Sequence, residues 1–317
     1  MTEPTPLQML GRDTRPMFDR FWGIIAPYQR DLWNYCRKIA GNTWDGEDLY
    51  QDTIMKMFTS LSSISIQSQV LHPKSYFFRV ATNHWIDSCR KRQKHTAEEY
   101  VEEYGEESSD ARPEAFEVYE SIEHLLGYLP PKQVVAIVLV EAFDFTANEA
   151  ADIMGTTEGA VNALVFRGRR NLRKMRRSES EHIEKKHVPA CDAVIVQKYV
   201  EYFNARDFHG LAGLLAEHSV FSFVTQASKE YGRDTIINAS HNPAHYENED
   251  IQAVVTMLWD RTVVIFYRVG EDAKPLALNE VLTIETEYEH IVEIKGYYYC
   301  PEFMEAAADE LGVPRDS

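Results

Sequence analysis

Phe18, Phe21, Trp22, Ile25, Leu32, Tyr35, Cys36 and Ile39 recur at three- and four-residue spacing. An α-helix with one buried face needs that period, so residues 16–60 are expected to be helical. Gly41-Asn42 predicts a break, with a second helix from near Asp45 that carries Leu49, Ile54, Met55 and Phe58. The Ser- and Gln-rich stretch 60–71 reads as a loop. Pro73 suits the first turn of a third helix, whose Tyr76, Phe77, Val80, Trp85 and Ile86 lead into a basic run.

After Thr96 the pattern dissolves, and residues 97–120 hold ten carboxylates against Arg112. Mutual repulsion and sparse apolar side chains predict an extended, weakly ordered linker. Periodicity resumes from Phe116 to Leu129, and Pro130-Pro131 opens a helix through Val134, Val135, Ile137, Val138 and Val140. Another begins at Phe145-Thr146, with Ala147, Ala150, Ala151, Ile153 and Met154 spaced for a buried face. Gly155 can take the positive φ of a sharp turn, and Thr156 or Thr157 can cap the helix that follows. In that helix Val161, Leu164, Val165, Leu172 and Met175 face the core. A helix, a glycine turn and a helix ending in cations form the pattern of a helix-turn-helix, which many αα-hairpins share.

Residues 178–189 are polar, and beyond them the period changes. Helices are expected at 192–204 and 209–217, then strands at 219–225, 252–258, 262–269, 276–287 and 290–299, rich in Val, Ile, Thr, Phe and Tyr. A last helix, 302–311, ends at Gly312. Helices followed by a run of antiparallel strands predict an α+β domain.

A chain of 317 residues exceeds one ordinary domain, and its 44% hydrophobic and 26% charged residues suit a globular protein. No apolar run approaches the roughly 20 residues that span a bilayer. The opening MTEPTPLQMLG lacks the basic start and apolar stretch of a secretory signal, so a cytoplasmic protein with no membrane partner is expected. Cys36, Cys89, Cys191 and Cys300 lie far apart, which favours buried thiols over a zinc site; no cofactor or metal is expected. The net charge of −17 argues against nucleic acid until its distribution is considered. Residues 73–94 carry six Lys/Arg against Asp87, and 167–177 carry seven and no acid, whereas 178–317 hold 25 acids against 11 bases. Two basic patches on an acidic chain can hold phosphates locally while the rest weakens indiscriminate DNA binding.

Three segments carry a family resemblance. Asp45–Phe58 (DGEDLYQDTIMKMF) resembles the helix by which sigma factors dock on the clamp helices of RNA polymerase. His72–Lys94 resembles the segment that opens and reads the minus-ten element, and Leu129–Met175 the domain that reads the minus-thirty-five element. Their order and spacing resemble the extracytoplasmic-function (ECF) sigma factors. The resemblance implies polymerase contacts at Asp45, Glu47, Asp48, Gln51 and Asp52, and minus-ten contacts at Tyr76, Arg79, Asn83, Asp87, Arg90 and Arg92. For the minus-thirty-five element it implies Thr157, Glu158, Asn162, Phe166, Arg167, Arg169 and Arg170. The family has Trp where Tyr76 stands, and often Lys or Arg at the position of Asn162, whose amide suits adenine. Aromatics among cations suit unstacked bases, although helical spacing puts at least half of these aromatics in the core.

Val196–Phe223 with Tyr231–Ile236 resembles the opening of SnoaL-like domains of the NTF2-like fold, which enclose a cone-shaped pocket. Some of those are cyclases or isomerases that use Asp and His; others bind or dimerise. His209, His218, His241, His245 and His290, with Asp207, Asp234 and Asp260, are the acid-base groups here, and no spacing singles out a pair. His241 and His245 fall in SHNPAHYENED, which reads as a surface loop, and Tyr297, Tyr298, Tyr299 and Phe303 are either core or pocket.

The expected fold class is thus multi-domain: two all-α sigma domains, the second a helix-turn-helix, then an α+β NTF2-like/SnoaL-like domain. The expected boundaries are 1–96, 97–120 (acidic linker), 121–178, 179–189 (linker) and 190–317. The expected function is promoter-specific initiation with core RNA polymerase and promoter DNA as partners, and no catalysis. The C-terminal domain modulates it through a small-molecule ligand or a protein partner. The alternative is a polymerase-independent helix-turn-helix transcriptional regulator with a ligand-sensing C-terminal domain.

Overall fold

The computed structural model of the chain describes residues 6–60, 73–95, 129–177, 192–224, 228–246, 250–270 and 274–316. They fall into two compact units, Met1–His182 and Ile183–Ser317. The acidic stretch 97–120, the renewed periodicity before residue 129 and the stretch 179–189 lie outside the described residues.

The first unit opens with α1 (Pro6–Ile25), α2 (Gln29–Ala40), α3 (Thr43–Ser60) and α4 (Pro73–His95). The helix expected to run unbroken to residue 40 is interrupted by a 3-10 turn at Ala26–Tyr28, where Pro27 has no N–H to continue the ladder. Leu32, Tyr35, Ile39, Ile54, Met57 and Phe78 are fully buried where α2, α3 and α4 meet. The approach of α2 to α3 is set by Gly46, where a Cβ would stand 2.5 Å from the Arg37 Cα. Gly46→Ala is therefore expected to destabilise this unit by about 2 kcal/mol, because overpacking outweighs the gain in helix propensity. Urea unfolding of the two proteins checks this; equal midpoints would refute it.

After Leu129 come α5 (Pro131–Ile137), a π-helical turn (Val138–Ala142), α6 (Ala147–Met154) and α7 (Glu158–Arg177). Thr146 caps α6 in a reciprocal box with Glu149. Gly155 takes φ 63° at the turn, and the Thr157 hydroxyl accepts from the Ala160 N–H at 3.3 Å to start α7. The helix-turn-helix is in place.

The second unit comprises α8 (Ala193–Asn204), α9 (Phe208–Leu214), β1 (Leu215–Phe223), β2 (Ser228–Tyr231), α10 (Arg233–Asn238), β3 (Ile251–Leu258), β4 (Arg261–Val269), β5 (Pro275–Glu287), β6 (His290–Gly296) and α11 (Pro301–Leu311). One six-stranded sheet runs β2-β1-β6-β5-β4-β3. It is not wholly antiparallel as expected, since β1 and β6 pair in parallel. β1 also begins at Leu215, inside the segment expected to continue the second helix. Side chains of α8 and α9, including Tyr199, Phe203 and Leu211, are buried with Phe221, Val264, Phe266, Leu282 and Ile284 on one sheet face. This is the α+β architecture the sequence implied.

Candidate nucleic-acid interface

On α3, Asp45, Asp48 and Asp52 are spaced three and four residues apart and share one face. Asp48 and Asp52 are exposed, and Asp45 is half-buried against Asn42, whose amide donates to it at 2.9 Å. Glu47 points the other way and is 1% exposed. It accepts from the Trp33 indole at 2.6 Å and from the Gln51 amide at 2.5 Å. That corrects the surface role expected of Glu47: it ties α3 to α2, and Gln51 is occupied in holding it. Asp52 lies 3.0 Å from His84 of α4, whose other ring nitrogen meets the Lys56 ammonium. Spacing within one helix gave no sign of this cross-helix link.

On α4 the buried face is Phe77, Phe78, Ala81, Thr82 and Trp85. Opposite it, Arg79, Asn83, Asp87 and Arg90 are all exposed at intervals of four, four and three, so they form one stripe. Tyr76, half-buried at the head of that stripe, has its hydroxyl 3.3 Å from Ser60. Arg92 lies off the stripe, its guanidinium 4.9 Å over the Trp85 ring. This cation–π contact braces the end of the helix. A polar strip with two cations, an amide and a carboxylate can hydrogen-bond base edges and draw in phosphates.

On α7, Val161, Val165 and Leu172 are buried, and Asn162, Phe166 and Arg170 line the opposite exposed face with Arg173. Phe166 is 41% exposed, unusual for so large an apolar side chain and suited to contact with a thymine methyl. Thr157 and Glu158 lie exposed at the helix start, and Arg167 is half-buried. Arg169 departs from the expectation. Its Nε donates to Glu141 of the π-helical turn, and the two side chains are 11% and 5% exposed. Burial pushes the Glu141 carboxyl up, against the pull of the Arg169 hydrogen bond and charge. Arg169 is thus a clamp between α7 and the preceding segment.

These two helical layers touch within the unit. Phe78 packs on Phe143 and Phe145 with ring centroids 5.4 and 5.2 Å apart, and Tyr35 lies 5.6 Å from Phe143. The Lys74 ammonium sits 5.8 Å over both Phe78 and Phe145 and is paired with Asp31 at 2.7 Å. Aromatic pairs of this kind are worth about 0.5–1.5 kcal/mol each beyond area burial.

In the second unit His209, His218, His245, His290, Asp207, Asp234 and Asp260 are exposed and scattered. Tyr297 and Phe303 stack in the core, and Tyr298 and Tyr299 are exposed. His241, expected on a surface loop, is 3% exposed and lies 2.6 Å from the Tyr199 hydroxyl.

Residues 24–95 match the sigma-70 region 2 family, and residues 119–172 match sigma-70 region 4. ECF RNA polymerase sigma factor SigG of Mycobacterium tuberculosis is 22% identical over 315 residues, covering 89% of this chain and 83% of SigG. Among solved structures, the sigma factor RpoE of Bartonella quintana, crystallised with the anti-sigma factor NepR, is 24% identical. The match covers 51% of this chain and 98% of that one at a TM-score of 0.35. A protein with a ketosteroid isomerase-like fold from Catenulispora acidiphila is 16% identical, covering 39% of this chain and 96% of its own at a TM-score of 0.28.

Proposed function

We propose that this chain, whose residues 24–95 and 119–172 match sigma-70 regions 2 and 4, is an ECF sigma factor that binds core RNA polymerase and directs it to promoters of a defined sequence. The observation that carries the reading is the exposed stripe of Arg79, Asn83, Asp87 and Arg90, which lies within region 2 and opposite its core. In this reading the stripe and Tyr76 hold the minus-ten element, with Asn83 offering its amide to an extruded base. Asn162, Phe166 and Arg170 face the major groove of the minus-thirty-five element, and Arg173 grips phosphate. Asp45, Asp48 and Asp52 present the acidic face to a basic polymerase surface. The chain acts in the cytoplasm, performs no covalent chemistry, and is modulated by its NTF2-like C-terminal domain. Among the described residues no helix is long and apolar enough to cross a membrane.

The contact of Phe78 with Phe143 and Phe145 then has a consequence. Elements centred near positions −10 and −35 are roughly 25 base pairs, or about 85 Å, apart along a duplex. A helix of 23 residues such as α4 spans only about 35 Å. Two readers held together by that contact do not reach both elements at once, so polymerase binding must separate them.

Transcription in vitro from a library of genomic promoter fragments tests the reading, with core RNA polymerase in the presence and absence of the chain. Discrete new start sites that share two upstream elements are expected, lost at least tenfold in Asn83→Ala. Specific duplex binding without polymerase, and no initiation with it, would replace this reading with the polymerase-independent regulator.

A further inference from the structure

The two edges of the C-terminal sheet are unlike. β2, at one end, is four residues long and carries Lys229 and Glu230. β3, at the other end, runs for eight residues, IQAVVTML, with no charge and no proline. Short, charged edges resist pairing with another chain, whereas long uncharged ones rich in β-branched residues invite it. The neighbouring strand β4 is buried on both faces, through Val264 and Phe266 on one and Val263 and Ile265 on the other. At the edge, by contrast, Val254 and Met257 are exposed.

Backbone hydrogen bonding defines which part of that edge is open. The Asn204 side chain, at the end of α8, donates to the Ala253 carbonyl at 2.9 Å and accepts from the Ala253 N–H at 2.8 Å. A neighbouring strand would make the same two bonds. Arg206 donates to the Ile251 carbonyl at 2.9 Å. Ile251 and Ala253 therefore turn their backbone groups outward. β3 pairs with β4 without a register shift, so Val255 and Met257 turn theirs outward as well. Among the described residues no hydrogen bond reaches those outward groups of Val255 and Met257. The open stretch begins after Ala253 and ends at Leu258, where Trp259 and Asp260 turn the chain back with φ 47° and 60°. Its middle residue is Thr256.

We propose that this stretch is a self-association site, at which residues 254–258 pair antiparallel with the same residues of a second copy about a two-fold axis at Thr256. In that register Val255 of each copy exchanges both backbone bonds with Met257 of the other, so every open group finds a partner. Val254 lies opposite Leu258 of the second copy. Each strand thus turns away just where Asn204 occupies the next position. A foreign strand that ran on past Val254 would have to displace the Asn204 amide from Ala253. The open stretch is matched in length and register to itself, and that match selects a second copy over an extended peptide.

The test uses the full chain in about 0.15 M salt, which screens its net charge of −17. Sedimentation velocity from about 1 to 300 µM is expected to show a monomer–dimer equilibrium with a Kd of roughly 100 µM, as suits so short an interface. Met257→Pro removes an outward N–H that the fold itself does not use, and Thr256→Lys places two ammonium groups at the axis. Each is expected to weaken association about tenfold or more, and circular dichroism establishes that both variants fold. Thr256→Cys is expected to form an intermolecular disulfide under oxidised glutathione, located by mass spectrometry, because the paired Cβ atoms lie about 5 Å apart. Gln252→Cys, whose two copies stand roughly 25 Å apart in this register, is expected not to. A chain that stays monomeric throughout would leave the edge to a segment of a different protein and overturn the proposal. So would a dimer that Met257→Pro and Thr256→Lys leave unchanged, or cross-linking of Gln252→Cys as fast as that of Thr256→Cys. None of these outcomes bears on promoter recognition, which the transcription assay reads separately.

Discussion

Glu280→Gln is expected to leave the C-terminal unit unchanged in acid and to stabilise it increasingly as the pH rises toward 8. The Glu280 carboxyl titrates near 4.5 in an unfolded chain and is pushed up to about 8 by burial in the fold. Between those values the unfolded chain gives up a proton that the folded chain keeps. Rising pH therefore draws the equilibrium toward unfolding. The stabilisation is fully present below 4.5 and is gone once the pH passes about 8. A shift of that size corresponds to about 5 kcal/mol in full, and the surface that Glu280 retains brings the expected difference to roughly 2–3 kcal/mol. Glutamine has no proton to lose, so its curve lacks the alkaline decline. His241 acts in the opposite sense and is common to both proteins: its imidazole is lowered from 6.5 to about 4, so its stabilisation is lost as the pH falls through that window. Hydrogen exchange of the β5 amides at about pH 5 and pH 8, corrected for intrinsic rates, measures both limbs. Parallel profiles for the two proteins would show that Glu280 is ionised in the fold.

Glu280 was invisible in the sequence for a physical reason. The run LNEVLTIETE alternates well enough for a strand, but alternation does not say which face meets the core once a bulge at Asn279 shifts the phase. His241 was misplaced because SHNPAHYENED is mostly polar and carries no apolar period. Burial of its ring depends on the Tyr199 hydroxyl, which is 42 residues away. The parallel pairing of β1 with β6 is a contact of the same non-local kind.

The helical unit was far more legible, because its signals are local. Pro73, Pro131, Thr146 and Gly155 act on the residues beside them, and the breaks fall where those residues stand. Apolar period likewise identified Val161, Val165 and Leu172 as core and left Asn162, Phe166 and Arg170 outside. Local rules failed for charges. Glu47 and Arg169 carry the same formal charges as their exposed neighbours, and only a partner on another element removes them from the surface. In the region 2 helix DGEDLYQD, Asp48 and Asp52 thus stay exposed, and Glu47 and Gly46 fix how that helix lies on α2.

Glu141→Ala is expected to cost the first unit about 3 kcal/mol, because it leaves the Arg169 guanidinium buried without its counter-charge. The pair is imperfectly satisfied as it stands: Arg169 Nη1 and Glu141 Oε2 are buried without a partner. Desolvation therefore offsets much of the attraction, and replacing both residues by apolar ones of similar size should recover most of the loss. Glu141→Leu combined with Arg169→Met is expected to unfold within about 1 kcal/mol of the parent protein, while Arg169→Met alone suffers a loss comparable to that of Glu141→Ala. Thermal unfolding of the parent protein and the three variants, followed by hydrogen exchange in α7, gives the energies. The double variant also separates structure from recognition. If Arg169 only clamps α7 to the π-helical turn, the double variant transcribes from the same promoters with the same preference at the upstream element. Altered preference there, with stability restored, would mean that Arg169 leaves Glu141 to read DNA when the domain docks.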